Sequence, residues 1–367
     1  MSKQVVLLLD DERLVADGLA LALEQPGRTI ITCNDLQSAE LALQWFEPTH
    51  VVTDVRLSGP FAFEGLDFIR YVKRHSAETK IIVMTGNPTA GMELEASQRG
   101  AVSFLQKPFE VADLAAIIEL TSPVAPSDSP PAAIRIPLLG EIMGGDDLYP
   151  VFQPIVALKD RAVLGYETLT RCRTDSPLSN PARLFEYAAR KQRVADLELA
   201  CLARSIAAFR PPAATALLFA NVHPVVFGDG ARLLDVVRAE PAARLAGRLV
   251  LEITEQAALL EHPSVFETIE GLRALGVRFA FDDFGVAYSH LPVIDRVRPS
   301  FLKISQAFGT RFETNPTRIK IITNFRSMAA DFGCDLILEG IEDASTAEAA
   351  EKLGIRYAQG YLFGRPQ

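Results

Sequence analysis

Seven strand-like apolar runs in the second half of the chain each close on a carboxylate, a carboxamide or a lysine. This pattern limits the fold more than any other feature. In order, the closing residues are Glu167 in GYETLTR, Asn221 in LLFANVHP, Glu252 in LVLEITE, Asp282 and Asp283 in VRFAFDDFG, Lys303 in SFLKIS, Glu339 in LILEGIE and Gln359 in YAQGY. An apolar run that ends in a chemically able residue reads as a barrel strand whose C-terminal end faces a site. From Asn221 onward these residues recur 20 to 36 positions apart, close to one β/α unit each. Helical patterns such as VFETIEGLRALG and RIKIITNFRSMAADFG lie between them. About eight strands are countable from Tyr149 to the end, which suits a (β/α)8 TIM-like barrel. After YAQGYLFGRPQ no sequence remains for a closing helix, so either the chain is cut short there or the barrel closes without one.

Most of these side chains are oxygen donors suited to hard divalent cations, and a single lysine joins them. Glu167, Asn221, Glu252 and Asp282 are expected to form one oxygen-rich metal site, with Asp283 helping to hold a second ion. Two metals ~3.5–4 Å apart activate a water and clamp both oxygens of an in-line phosphoryl displacement. Lys303 would neutralise a phosphate oxygen or orient the water, and Glu339 would bind the second metal's water or accept its proton. The expected chemistry is metal-dependent cleavage of a phosphoester.

Composition narrows the partners. With 367 residues and 49% hydrophobic content there is room for two cored domains, and a net charge of −9 argues against broad nucleic-acid binding, DNA included. Metal ions can still bring a small phosphodiester to a negative chain. Cys33, Cys172, Cys201 and Cys334 are scattered without a CxxC pair, as in a cytosolic protein with free thiols. VVLLL is too short for a signal-peptide core and no apolar stretch reaches spanning length, so the expected location is the cytoplasm.

Residues 1–121 alternate short apolar runs, VVLLL, TIITC, HVVTD, KIIVMT and VSFLQ, with amphipathic helical stretches. Five such strands predict a flavodoxin-like, doubly wound α/β domain. Asp10, Asp11, Asp54, Thr85 and Lys107 would gather at the carboxyl edge of its sheet. Asp10, Asp11 and Asp54 would hold one Mg2+, and Asp54 would act as nucleophile toward a phosphoryl group beside Lys107. Residues 122–147, beginning near TSPVAPSDSPPAAIRIP, read as a Pro/Ser/Ala-rich linker, and GGDD at 144–147 reads as a turn before the domain over 148–367.

Both halves resemble known families. The first is similar to a response-regulator receiver domain, on LLLDDE, VVTDVRLSG with Asp54, VMTGN with Thr85, Phe104 and QKPF with Lys107. The resemblance implies phosphorylation at Asp54 by a histidine kinase or small phosphodonor, with Thr85 and Phe104 as the switch pair. Leu57 and Ser58 replace the family's usual Met-Pro, and PFAFEG lengthens that loop, which bears on partner contacts.

Residues 149–367 resemble an EAL-type cyclic di-GMP phosphodiesterase domain, on FQPI, ETLTR, Asn221, LEITE, DDFG, LKI, EGIE and QGY. That resemblance implies hydrolysis of cyclic di-GMP to linear pGpG with two Mg2+ or Mn2+ ions, in a bacterial signalling protein. Arg171 would contact a substrate phosphate, and Gln153, Gln359 and Asp196 would bind substrate, Gln153 and Asp196 at a guanine edge. Glu255 would anchor the loop beginning at Asp283. A homodimer is expected.

Three departures matter. Thr168 replaces Ala in the signature and carries no charge. Ala287 replaces a Gly in the loop after the Asp pair, and Ser305 replaces the Asp usual after LKI. The last two motivate an alternative, a weak or inactive domain that binds cyclic di-GMP and signals through a partner protein. An enolase-like barrel also carries acids and a lysine on successive strands, but the Asp pair and Arg171 favour phosphodiester chemistry. His223 and His290 match no family ligand, and Glu342 reads as a supporting or surface residue.

Overall fold

A computed structural model of the chain describes residues 4–57, 64–122, 129–254, 263–285, 294 and 296–367. Glu255, Ala287, His290 and Ser58 lie outside the described residues. The chain packs as two compact units, Met1–Asp147 with Cys172–Gln192, and Leu148–Arg171 with Arg193–Gln367.

In the first unit the strands are β1 (Gln4–Leu9), β2 (Arg28–Cys33), β3 (His50–Asp54), β4 (Lys80–Thr85), β5 (Ser103–Gln106) and β6 (Ala132–Arg135). They form one sheet in the order β5-β4-β3-β1-β2-β6, and every pair is parallel. Strands buried on both faces explain the unbroken apolar runs. Val6, Leu8, Ile30, Val52 and Ile82 pack on one face with Leu19, Leu114 and Ile118 from helices. The alternate residues Leu7, Leu9, Ile31, Val51, Ile81 and Val83 are equally buried.

The expected linker is corrected in part. Residues 132–135 add a sixth strand whose register runs from Thr29↔Ala132 to Thr32↔Arg135, and the helix Leu139–Gly144 follows. Gly27 N donates to Ser129 O (2.6 Å) and Ile136 N to Thr32 O (2.9 Å), so the added chain satisfies the edge of β2. Pro, Ser and Ala obscured a short apolar series in the sequence. Ile136, Leu139 and Ile142 are each at most 2% exposed. GGDD falls at the end of that helix and the bend beyond it.

The second unit is a closed eight-stranded barrel of β7 (Leu148–Ala157), β8 (Val163–Cys172), β9 (Leu217–Asn221), β10 (Leu249–Thr254), β11 (Arg278–Phe284), β12 (Phe301–Ile304), β13 (Asp335–Leu338) and β14 (Tyr357–Gln359). The pairs from β8 through β14 are parallel, but β14 pairs antiparallel with β7. The (β/α)8 expectation therefore holds with one strand reversed. An antiparallel partner needs no crossover helix, and among the described residues none follows β14. The chain instead returns to β7, where Gln367 and Phe152 exchange backbone hydrogen bonds of 2.7 and 3.1 Å.

Period-two alternation sorts the strand residues. Leu218, Leu251, Phe279, Leu302 and Leu338 point outward to helices bearing Leu202, Ile206, Ile269, Leu272 and Ile322. Ile155, Leu217, Phe219, Val250, Ala280, Phe301 and Ile337 pack together inside the barrel. Two residues beyond most of these, on the same face, stand the chemically able side chains. Gln153 precedes Ile155 because β7 runs the other way. The apolar layer is the floor on which the polar layer sits. Among the described residues, no helix is long and apolar enough to cross a membrane, and the four cysteines are free thiols.

Candidate active site

The polar layer converges on Lys303, which is fully buried. Its Nζ lies 2.9 Å from Glu252 Oε1, 2.9 Å from Glu339 Oε1, 3.1 Å from Asp282 Oδ1 and 3.3 Å from Glu167 Oε2. Four strands thus bring four carboxylates to one ammonium. When all are ionised, four negative charges face one positive charge. Burial lowers the lysine's proton affinity, but the four carboxylates outweigh it and hold Lys303 charged. Glu252 is pushed well upward by burial first and by Glu167 and Asp282 second, against the pull of Lys303. Glu339 is pushed up to about 7, again by burial first and then by Asp282 and Glu167.

Glu167 is held on both sides. Asn221 Nδ2 donates to its Oε1 (2.9 Å), and Gln359 Nε2 donates to its Oε2 (2.6 Å) and to Gln153 Oε1 (3.0 Å). Gln153 Nε2 in turn donates to the Gly364 carbonyl (3.2 Å). At the Asp pair the register of β11 against β12 shifts between Phe281 and Phe284. Asp283 takes a left-handed φ of 51°, and the two side chains diverge, Asp282 half-buried toward Lys303 and Asp283 exposed. Such irregularities re-aim side chains beside sites. Gln153, Glu167, Asp282, Asp283, Glu339 and Gln359 all line one cavity of about 280 Å3, together with Gln306 and Glu342.

Whether this donor set suits divalent ions can be judged from its charge and its unmet bonds. Both oxygens of Glu252, Asp282 Oδ1 and Lys303 Nζ are buried with no partner in hydrogen-bond geometry. The ring of carboxylates is close to Lys303 yet poorly aimed at it. Among the described residues no three acidic, imidazole or thiol groups stand together as a finished metal cage. Oxygen donors with surplus negative charge and unmet acceptor capacity suit hard divalent cations.

A folded-state value near 7 for Glu339, above its ordinary 4.5, has a pH consequence. The folded protein then holds this proton more tightly than the unfolded chain. The resulting penalty is absent below about pH 4.5, grows up to about pH 7 and is constant above. In chelator, the melting temperature of wild type relative to Glu339→Gln should therefore fall across that window. Divalent ions should remove the fall. A flat difference between the two proteins in chelator would contradict the burial of an unbalanced Glu339.

Other expected residues fall elsewhere. Arg171 is half-buried at the end of β8, with Nη1 donating to the Thr170 carbonyl (2.9 Å). Asp196 accepts from Arg193 Nε (2.7 Å) and Arg232 Nη1 (2.8 Å), and these two arginines hold its carboxyl below the usual range. The hydroxyl of Thr168 donates to Ser205 Oγ (2.8 Å). Ser305 is 5% exposed, and its carbonyl opens the short helix Gln306–Gly309 by accepting from Phe308 N (2.9 Å) and Gly309 N (3.3 Å). His223 caps a turn, its Nδ1 accepting from Val225 N.

Gly309 went unnoticed in the sequence. A Cβ there would lie 1.8 Å from the Glu339 carbonyl oxygen. That close approach joins distant segments, so no local signal announced it. Gly309→Ala should destabilise the barrel by about 1–3 kcal/mol, read as a lower denaturation midpoint. An unchanged midpoint would mean that Glu339 is not held there.

In the first unit, Lys107 Nζ lies 2.6 Å from both Asp10 Oδ2 and Asp54 Oδ2. Burial raises the Asp10 carboxyl despite Lys107, while Lys107 itself is driven upward as the two aspartates outweigh its burial. Asp11 is half-buried beside them, Thr85 is 1% exposed with its hydroxyl accepting from Asn87 N (3.3 Å), and Phe104 is half-buried. Strand ends β1, β3, β4 and β5 meet at this edge as the topology requires.

Family models match both units, the EAL domain over residues 139–366 and the response regulator receiver domain over residues 6–119. Among curated proteins, cyclic di-GMP phosphodiesterase RocR of Pseudomonas aeruginosa is 27% identical over 98% of this chain and 95% of its own length. It has the same receiver-plus-EAL architecture. Cyclic di-GMP phosphodiesterase NbdA of the same organism is 30% identical over 62% of this chain but only 30% of its own. Among solved structures, the manganese and cy-diGMP complex of Klebsiella pneumoniae BlrP1 is 26% identical, covering 60% of this chain and 56% of that one with a TM-score of 0.53. The chain belongs to the EAL domain family and carries a response regulator receiver domain ahead of its barrel.

Proposed function

We propose that this protein hydrolyses cyclic di-GMP to linear pGpG with two divalent metal ions, under control of its receiver domain. The observation that carries the reading is the buried ring of Glu167, Glu252, Asp282 and Glu339 around Lys303 at the cavity of the barrel. The printed names of the relatives support the substrate class. Glu167, Asn221, Glu252, Asp282, Asp283 and Glu339 would hold Mg2+ or Mn2+, which when bound supplies a water acidic enough to attack near neutral pH and neutralises phosphate oxygens.

The chain's own residues do the rest. Asn221 and Gln359 fix both oxygens of Glu167, so that it is presented in one orientation. Lys303 would place a fixed positive charge beside the phosphate oxygens as they gain charge. Glu339, at the cavity with Oε1 2.9 Å from Lys303 Nζ, is assigned to accept the proton of the attacking water. The water oxygen attacks phosphorus, the bond from phosphorus to the ribose 3′ oxygen breaks, and that oxygen takes a proton from solvent.

Arg171 is assigned to a substrate phosphate. Gln153, Gln359 and Asp196 are assigned to the substrate as well, Asp196 having to release Arg193 and Arg232 first. Asp10, Asp11 and Asp54 would hold Mg2+ in the receiver, with Asp54 the phosphoacceptor for a kinase or small phosphodonor and Lys107 beside it. A homodimer is part of this reading.

One observation favours the receptor alternative. Ser305, buried beside Lys303, supplies no carboxylate where the family has one. Turnover of cyclic di-GMP by the purified full chain with Mg2+ or Mn2+, run beside Glu167→Ala, separates the two. Linear product from wild type but not from the variant is expected. Binding with no product from either protein would establish a receptor instead.

A further inference from the structure

The segment Cys172–Gln192 is matched as part of the EAL domain, yet it packs inside the first unit, against the receiver helix Leu36–Phe46. Asn180 starts its helix, Pro181–Arg190, by accepting from Ala182 N (2.9 Å). The helix buries Leu184, Tyr187 and Ala188 completely. Its polar edge is aimed at one residue. Tyr187 donates its hydroxyl to Asp35 Oδ2 (2.8 Å), and Lys191 Nζ lies 3.0 Å from the same oxygen. The other carboxylate oxygen of Asp35 accepts from Ser38 N (2.8 Å) and caps the receiver helix Leu36–Phe46. Arg190 reinforces the contact through Glu40 (3.3 Å) and Gln44 (3.1 Å) on that helix.

Asp35 is one residue from the phosphorylation edge. Asn34, its neighbour, donates Nδ2 to the backbone carbonyl of Asp10 (2.9 Å), and Asp10 N donates to Cys33 O (3.2 Å). The Asp10 carboxylate shares Lys107 with Asp54. A run of short, largely buried bonds therefore leads from Asp54 through Lys107, Asp10, Asn34 and Asp35 to Tyr187. A buried phenol hydroxyl without a partner is costly, so a shift of Asp35 is followed by Tyr187 rather than released. At its other end the segment is continuous with β8, which carries Arg171 and Glu167.

We propose that the grip of Tyr187 and Lys191 on Asp35 couples the chemical state of Asp54 to the barrel strand bearing Glu167 and Arg171. The proposal rests on the receiver-regulated phosphodiesterase reading and names the route of its regulation. A phosphoryl group on Asp54 replaces the single carboxylate charge with roughly −1.5 to −2 on the phosphate, and the larger anion competes with Asp10 for Lys107. The Asp10 end of β1 then shifts, Asn34 and Asp35 follow, and the segment Cys172–Gln192 changes its hold on β8. Such coupling needs an element with two arrangements that both sites bias.

The test is hydrogen exchange of the full chain with and without beryllofluoride and Mg2+, in wild type, Tyr187→Phe and Lys191→Met, alongside cyclic di-GMP turnover. In wild type, exchange within 172–192 should change by about fivefold or more. In both variants that change should shrink, while peptides around Asp54 and Lys107 still respond. The ratio of treated to untreated turnover should fall toward one in the variants, with the untreated rate kept. A full response of 172–192 in both variants would overturn the proposal. So would a silent 172–192 in wild type whose Asp54 peptides respond. Absent turnover with an intact exchange response would sink the phosphodiesterase reading and leave the coupling standing.

Discussion

Replacing Lys303 with methionine is expected to lower the stability of the metal-free barrel by about 3–5 kcal/mol. Lys303 is fully buried and is the only cation within ion-pair reach of Glu167, Glu252, Asp282 and Glu339 among the described residues. Methionine fills similar space and leaves the four carboxylates with no counter-charge. At about 2–4 °C per kcal/mol for a domain this large, the melting temperature in chelator should drop by roughly 6–20 °C. Mg2+ or Mn2+ should recover part of the loss by supplying the missing charge. Turnover should fall on the order of a hundredfold or more even with metal, since the proposed mechanism relies on the Lys303 charge at the reacting phosphate. A variant as stable as wild type in chelator would mean that the carboxylates are protonated or turned away.

Glu252→Gln should act in the opposite sense on stability. Glu252 is fully buried, both of its oxygens lack hydrogen-bond partners, and its carboxyl is pushed upward by burial and by its neighbours. The amide removes one repelled charge at constant shape, and Lys303 keeps three carboxylates. The metal-free melting temperature should therefore rise. Turnover should fall roughly 10²–10³-fold, the effect of removing several kcal/mol of metal-borne charge stabilisation. The pair of variants is more telling than either alone. A carboxylate retained for structure would give lower stability in both, whereas one retained to hold cations gives stability gained and activity lost. Melting in chelator and turnover in Mn2+, measured on the same preparations, decide between them.

Much of this site was legible because a barrel converts sequence periodicity into position. Each of Asn221, Glu252, Lys303 and Glu339 follows an apolar residue two places earlier on the same strand face. Parallel strands in register then must bring them to one layer. The same rule placed Asp10, Asp54, Thr85 and Lys107 at one sheet edge. It failed where contacts are not periodic. Nothing local marks Gly309 as the seat of the Glu339 carbonyl, Ser205 as the partner of Thr168, or Arg193 and Arg232 as the partners of Asp196. The region 129–147 was misread because a strand that completes a sheet edge needs only a few apolar residues.

The sequence by itself determined that there are two α/β units, five of the six strands of the first, and most of the side chains that gather at each site. Hydrophobic alternation and strand-terminal polar residues are local properties, and they survive in one dimension. Tertiary structure alone decided that β7 runs against β14, that Lys303 rather than any pair of acids sits at the centre of the ring, and that Cys172–Gln192 packs in the first unit against the helix Leu36–Phe46. Each of these depends on which distant surfaces meet. Burial and Coulomb energy between distant residues choose among arrangements that local pattern leaves equal.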